Sequence, residues 1–99
     1  MKVGAFTVAA DHPALPGHFP GRPVVPGVML LDRAIEAILR TVPGWRAAGL
    51  PAVKFTRPVA PGECVDVFCQ PPAGHRIAFV CRVGDGEVAR GSILLGEAA

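Results

Sequence analysis

The sequence predicts an α+β fold in which an antiparallel sheet wraps around one long central helix. Three observations lead there. Val28 to about Arg40 is the one convincing helical stretch, built mostly of good helix formers. The C-terminal half alternates apolar and polar residues with a period of two, in Val65, Val67, Cys69 and again in Ile77, Phe79, Cys81, Val83. Asp85-Gly86 between the last two apolar runs is a hairpin signal, because a type I′ turn needs positive φ at both central positions, and it makes the order antiparallel.

Taken in order, Val3 to Ala9 reads as a first strand. Its short apolar run, with one Lys ahead of it, is at the lower limit for a secretory signal. Asp11 to Gly27 carries Pro13, Pro16, Gly17, Pro20, Gly21, Pro23 and Pro26, which exclude a helix. Prolines also restrict the chain, and Phe19, Val24 and Val25 offer apolar anchors, so a rigid packed loop is expected. The helix that follows is apolar along Val28, Leu31, Ile35, Ile38 and Leu39, with Met29, Leu30, Ala34 and Ala37 widening the stripe until it must be buried. Trp45, near the end of the helix region, reads as a hydrophobic lid. Strands are expected at Ala52 to Val59, Cys64 to Cys69 after a Pro61-Gly62 turn, Arg76 to Val83, and Gly86 to Leu95. No internal repeat or boundary interrupts this order, so one domain over residues 1–99 is expected.

Composition narrows the function. With 99 residues and 51% hydrophobic content, the chain has more apolar surface than so small a core readily hides, which points to oligomerisation. A formal net charge of +2 without a Lys/Arg block argues against nucleic acid. No apolar run is long enough for a membrane span, since Pro26 and Gly27 break the one around Val24 to Leu31. Cys64, Cys69 and Cys81 form no Cys-x-x-Cys pair and sit in apolar or alternating segments, as reduced buried thiols of a cytoplasmic protein would.

The chemistry-bearing stretch runs from Gly17 to Asp32. His18 precedes a helix start, and a carboxylate follows inside that helix. A neutral imidazole accepts a proton near pH 7, and a carboxylate shielded on a mostly apolar helix can donate one. The N–H of Gly27, free of helical bonding and at the positive end of the helix dipole, suits a thioester carbonyl. Each residue also has a structural reading: His18 as an exposed or structural loop histidine, Asp32 as a helix-surface residue, and Gly27 as a tolerant residue at the helix start.

The stretch Gly17 to Asp32 resembles the His-Phe-x-Gly-x-Pro-x-x-Pro-Gly signature of the hot-dog 3-hydroxyacyl-acyl-carrier-protein dehydratases. Val53 to Glu63 is similar to that family's Lys-Phe-x-x-Pro-Val-x-Pro-Gly-Asp strand and turn, and Gly84 to Leu95 to its terminal hairpin. The resemblance implies a single hot-dog fold and a lyase that eliminates water from 3-hydroxyacyl thioesters linked to acyl carrier protein or CoA, in fatty-acid or polyketide-type synthesis. It implies His18 and Asp32 as the catalytic pair, facing each other across a homodimer or a larger assembly of dimers. It further implies Gly27 as the carbonyl-binding N–H, Val24 as the carbonyl that orients the imidazole, and Phe19 and Val28 as further substrate-binding residues. No metal or cofactor is called for.

Two features depart from the family. The chain starts almost at its first strand, so the segment many members carry ahead of it is expected to be missing, and Glu36 stands where Gln is common. Glu36, one turn after Asp32, either turns to solvent or raises the pKa of Asp32 by repulsion. His12 and His75 are expected to be exposed. Lys54, Arg57 and Arg22 are candidate contacts for phosphopantetheine or a carrier acid, and Met29, Phe55 and Phe79 candidate tunnel residues. The competing functions are a hot-dog thioesterase, since one fold serves several chemistries, and a non-catalytic acyl-binding or partner subunit.

Overall fold

The period-two alternation carries over directly into a sheet with one buried face. In the computed structural model, which describes residues 1–9 and 24–98, six elements follow in order: β1 (Lys2–Thr7), α1 (Gly27–Leu39), β2 (Trp45–Phe55), β3 (Cys64–Cys69), β4 (Arg76–Val83) and β5 (Gly86–Glu97). The strands form one sheet in the order β1-β3-β4-β5-β2, every pairing antiparallel. Val65, Val67 and Cys69 of β3 and Ile77, Phe79 and Cys81 of β4 point to the buried face, where α1 packs.

The helix meets the sheet along Leu30, Ala34, Ala37 and Ile38, the i, i+4, i+7, i+8 row. This differs from the expected stripe. Leu31, Ile35 and Leu39 are only half-buried, and Val28 is 73% exposed. The three half-buried residues still pack against the margin of the core, so the helix buries one wide apolar face and leaves Val28, Asp32, Arg33 and Glu36 exposed. Contact with β1 is close: a Cβ on Gly4 would lie 2.9 Å from the Ala37 Cβ, so only a glycine fits there.

The second strand departs most from expectation. It begins at Trp45 and ends at Phe55, not Ala52 to Val59, and pairs with β5 from Trp45 opposite Glu97 to Phe55 opposite Ala89. Ala47-Ala48-Gly49-Leu50-Pro51 has little intrinsic strand preference, so the pairing with β5, interrupted by register shifts around Gly49, imposes it. Its end is set by Pro58, which has no N–H to pair. Thr56 and Arg57 both turn their N–H groups to the Val88 carbonyl, at 2.9 and 3.5 Å. Trp45, at the start of this strand, is half-buried against the core, and its ring also packs on His75, centroids 5.2 Å apart.

The turns are partly as read. Pro61-Gly62 forms the expected turn, with Gly62 at φ 90° and the Glu63 N–H donating to the Ala60 carbonyl at 3.2 Å. The last hairpin stands, but Val83 pairs with Gly86, so its central residues are Gly84-Asp85. Only Gly84 has positive φ (59°), the pattern of a type II′ turn and not type I′. His75 is exposed, as expected, and has φ 61° in a tight turn closed by Ala73 and Arg76.

All three cysteines are free, but Cys64 is exposed, because it falls on the sheet face opposite Val65. Burial pushes the Cys69 thiol up and the Cys81 thiol up to about 11. Among the described residues no helix is long and apolar enough to cross a membrane.

The raised Cys81 pKa sets a pH dependence. Between its ordinary value of 9.0 and about 11, the unfolded thiol has lost its proton while the folded one keeps it. Stability is then full below pH 9 and declines as pH rises, by on the order of 2 kcal/mol. Urea unfolding at pH 8 and pH 10.5 is expected to show this loss in the wild type and a shallower slope in Cys81→Ala; equal slopes would contradict it. Ile38→Ala, at a fully buried position, is expected to cost about 2–5 kcal/mol in the same assay at pH 8.

Candidate active site

The start of α1 is where loop, helix and β2 converge. Pro26 precedes the helix with an extended ψ of 139°, and its carbonyl accepts the Leu30 N–H at 3.1 Å. The N–H groups of Gly27, Val28 and Met29 thus have no helical acceptor, and no side chain caps them among the described residues. Among the described residues nothing caps the positive end of the helix dipole. The chain before the helix is tied to the chain after β2, Val25 donating its N–H to the Val59 carbonyl at 2.8 Å.

Between them lies a cleft of about 480 Å³, with Val24, Gly27 and Leu30 on one side and Phe55, Thr56 and Val59 on the other. Its walls are mainly apolar. The Phe55 ring lies directly on Gly27, where a Cβ would come within 2.8 Å of its Cζ. Any side chain at position 27 must push that ring aside. The arrangement offers free backbone N–H groups beside an apolar groove, suited to a carbonyl group attached to an acyl chain.

The cleft brings together Val24 and Gly27 of the expected site. It does not include Asp32 or Val28, both exposed on another side of α1. The expectation of a shielded Asp32 is therefore not met within one chain: the i, i+4 pair Val28 and Asp32 lies on the uncovered part of the helix, away from the sheet. His18 and Phe19, together with the loop expected to be rigid and its His12 and Arg22, lie outside the described residues.

Neighbouring residues resolve several open readings. Glu36 turns outward to Arg40, 2.6 Å away, and so takes the solvent-facing alternative. Arg57 is committed to Glu63 through two hydrogen bonds of 3.2 Å. The Glu63 carboxyl is held below its ordinary range first by that bond and then by the Ala60 N–H at 2.8 Å. Arg57 thus braces the turn after β2 and is no free anion ligand. Of the tunnel candidates, Phe55 lines the cleft, while Phe79 is buried in the core. Thr56 and Val59 were not singled out from sequence; their signal was their place in the Lys-Phe-x-x-Pro-Val motif.

Comparison with known proteins places the chain in a family and a fold. The family model described as ApeI-like, ApeI dehydratase, matches residues 2–92. The 3-hydroxyacyl-[acyl-carrier-protein] dehydratases FabZ of two Thermus thermophilus strains are each 36% identical over 100 aligned positions, covering 91% of this chain and 65% of theirs. The chain thus spans a little under two thirds of the length of these relatives. Among solved structures, the dehydratase heterocomplex ApeI:P from Xenorhabdus doucetiae superposes with a TM-score of 0.79 at 22% identity, covering 96% of each chain. An uncharacterized protein from Erwinia carotovora subsp. atroseptica gives 0.73 at 27%, covering 94% of this chain and 80% of that one. A variant of the fluoroacetyl-CoA-specific thioesterase FlK gives 0.67 at 19%, covering 95% and 87%. The sheet and helix are a hot-dog fold.

The Gly27 and Phe55 contact makes a direct prediction. Gly27→Ala is expected to cost about 1–3 kcal/mol through overpacking, and clearly less in a Phe55→Ala background. Thermal unfolding of the two singles and the double measures the coupling; additive costs would show that the ring does not restrict position 27.

Proposed function

The chain belongs to the ApeI-like dehydratase family, and from that premise we propose that it eliminates water from 3-hydroxyacyl thioesters, acyl-carrier-protein or CoA linked, to give 2-enoyl thioesters. The observation that carries the reading is the apolar cleft of about 480 Å³ that opens on the unpaired N–H of Gly27. A thioester carbonyl accepts from that N–H while its acyl chain lies against Leu30 and Phe55. His18 takes a proton from C2, the Gly27 N–H and the helix dipole stabilise the enolate-like oxygen, and Asp32 gives a proton to the departing C3 hydroxyl. The Val24 carbonyl orients the imidazole, and Phe19 and Val28 flank the substrate.

Asp32 reaches such a substrate only from a second copy. The exposure of Asp32 and Val28 beside the half-buried Leu31, Ile35 and Leu39 favours a homodimer in which this helix face is covered. β2 adds Leu50 and Phe55, 41% and 48% exposed, at an edge of the sheet that has no neighbouring strand among the described residues. Residues 1–99 act as one domain in this reading, and three free cysteines fit a reducing, cytoplasmic setting.

Ultraviolet-monitored hydration of a short enoyl thioester tests the chemistry. Wild type is expected to turn over, with His18→Ala and Asp32→Asn each lowering kcat/KM by about a hundredfold or more while keeping the wild-type circular dichroism. Release of free thiol without hydration would make the protein a thioesterase, and inertness in both assays an acyl-binding or partner subunit.

A further inference from the structure

One wall of the cleft is a turn that cannot bond itself together through its backbone alone. Residues 56–63 join β2 to β3 and hold Pro58 and Pro61, neither of which has an N–H to donate. Side chains take over. The Arg57 guanidinium donates to the Pro58 carbonyl at 2.7 Å and to both Glu63 carboxylate oxygens at 3.2 Å, and Glu63 Oε1 also accepts the Ala60 N–H at 2.8 Å. A two-pronged arginine–carboxylate pair of this kind fixes direction as well as distance.

The braced turn is also a junction. It is fastened to β5 by the Thr56 and Arg57 N–H groups on the Val88 carbonyl and by the Thr56 hydroxyl on the Glu87 carbonyl at 2.8 Å. Its Gly62 N–H donates to the carbonyl of Val8, just past β1, at 2.8 Å. Its Val59 carbonyl accepts the Val25 N–H, two residues before α1, also at 2.8 Å. Val8, Val25 and Val59 are all buried. In sequence, the stretch between Val8 and Val25 is the one that carries His18, so one turn holds the chain on either side of it.

The Arg57 and Glu63 side chains are 40% and 32% exposed, a setting in which an ion pair adds little to folding stability. Its effect is on geometry. Arg57, Thr56, Pro58 and Val59 line the same cleft as Val24 and Gly27, and a shift of the Val59 carbonyl passes through Val25 to the helix start two residues on. We propose that Arg57 and Glu63 are positioning residues for the cleft: by fixing the Val59 carbonyl they fix Val25, and with it the Val24 carbonyl and the Gly27 N–H. The consequence for turnover rests on the dehydratase reading, whereas the mechanical link does not. Misplacing a reacting group by about 1 Å can cost about a hundredfold in rate, so a loosened clamp acts on kcat.

Two arms keep the link and the chemistry separate. Arg57→Gln and Glu63→Gln each break the charged fork while keeping a polar side chain. Amide hydrogen exchange followed by NMR, which needs no substrate, is expected to show the Val25 N–H exchanging about tenfold faster in each variant. The Gly27 amide resonance should be displaced and the wild-type circular dichroism kept. The double variant should match either single, because the same interaction is lost in all three. In enoyl hydration each single is expected to lower kcat about tenfold with KM changed less than about twofold. Glu63→Asp, which keeps the carboxylate, should recover most of that rate. Asp66→Asn, the same charge change in the Lys2 and Asp66 ion pair, is the control and leaves both readouts at wild type. Unchanged Val25 exchange, an equal response in Asp66→Asn, or faster exchange with an unchanged kcat in an active enzyme overturns the proposal. Faster exchange and a displaced Gly27 resonance in a protein that hydrates no enoyl thioester would sink the dehydratase reading and leave the link between clamp and cleft standing.

Discussion

One constraint governs the architecture: a single, mostly apolar helix has only one sheet to bury against, and the wide face it buries leaves Val28 and Asp32 outside. The sheet takes Leu30, Ala34, Ala37 and Ile38, and small residues make the fit possible. Gly4 meets Ala37 at a distance that leaves no room for a Cβ, and Gly27 lies under the Phe55 ring, which a Cβ would have to displace. The same tight approach that seats the helix brings its open N-terminus against the end of β2. The cleft is therefore a product of packing, and so is the exposure of Val28 and Asp32.

This divides the site. Gly27 and Val24 belong to the cleft of their own chain, whereas Asp32 looks outward with Val28. In the proposed mechanism a proton donor on the outward face has no use in its own cleft, and a carboxylate there carries no burial cost until something covers it. Association of two copies would desolvate Asp32 and hide Val28 in one step, linking activity to assembly. Glu36 stays clear of that arrangement through its ion pair with Arg40.

Much of the fold was legible where one physical signal dominated. Alternation located β3 and β4 with the same bounds as the structure, and the breaker-rich run ending at Pro26 located the helix start to within one residue. β2 was misread because Ala-Ala-Gly-Leu-Pro carries no strand signal of its own, and a long-range partner, β5, decides its conformation. The hairpin shifted by one residue because Gly84, which was not weighed, takes the positive φ instead of Asp85. Local pattern singled out the apolar helix and Gly27, which lines the cleft. It could not fix the edge of the buried helix face, since where the sheet stops covering the helix is a tertiary fact, and so it placed Asp32 in shelter that one chain does not provide.

The central claim is that a complete site needs two chains, and complementation tests it most directly. Inactive His18→Ala and inactive Asp32→Asn proteins, unfolded together and refolded as a mixture, should regain a substantial fraction of enoyl hydration activity, because some mixed dimers hold one intact His18 and Asp32 pair. A mixture that stays as inactive as its components, although size-exclusion chromatography with distinct tags shows mixed dimers, would contradict the account.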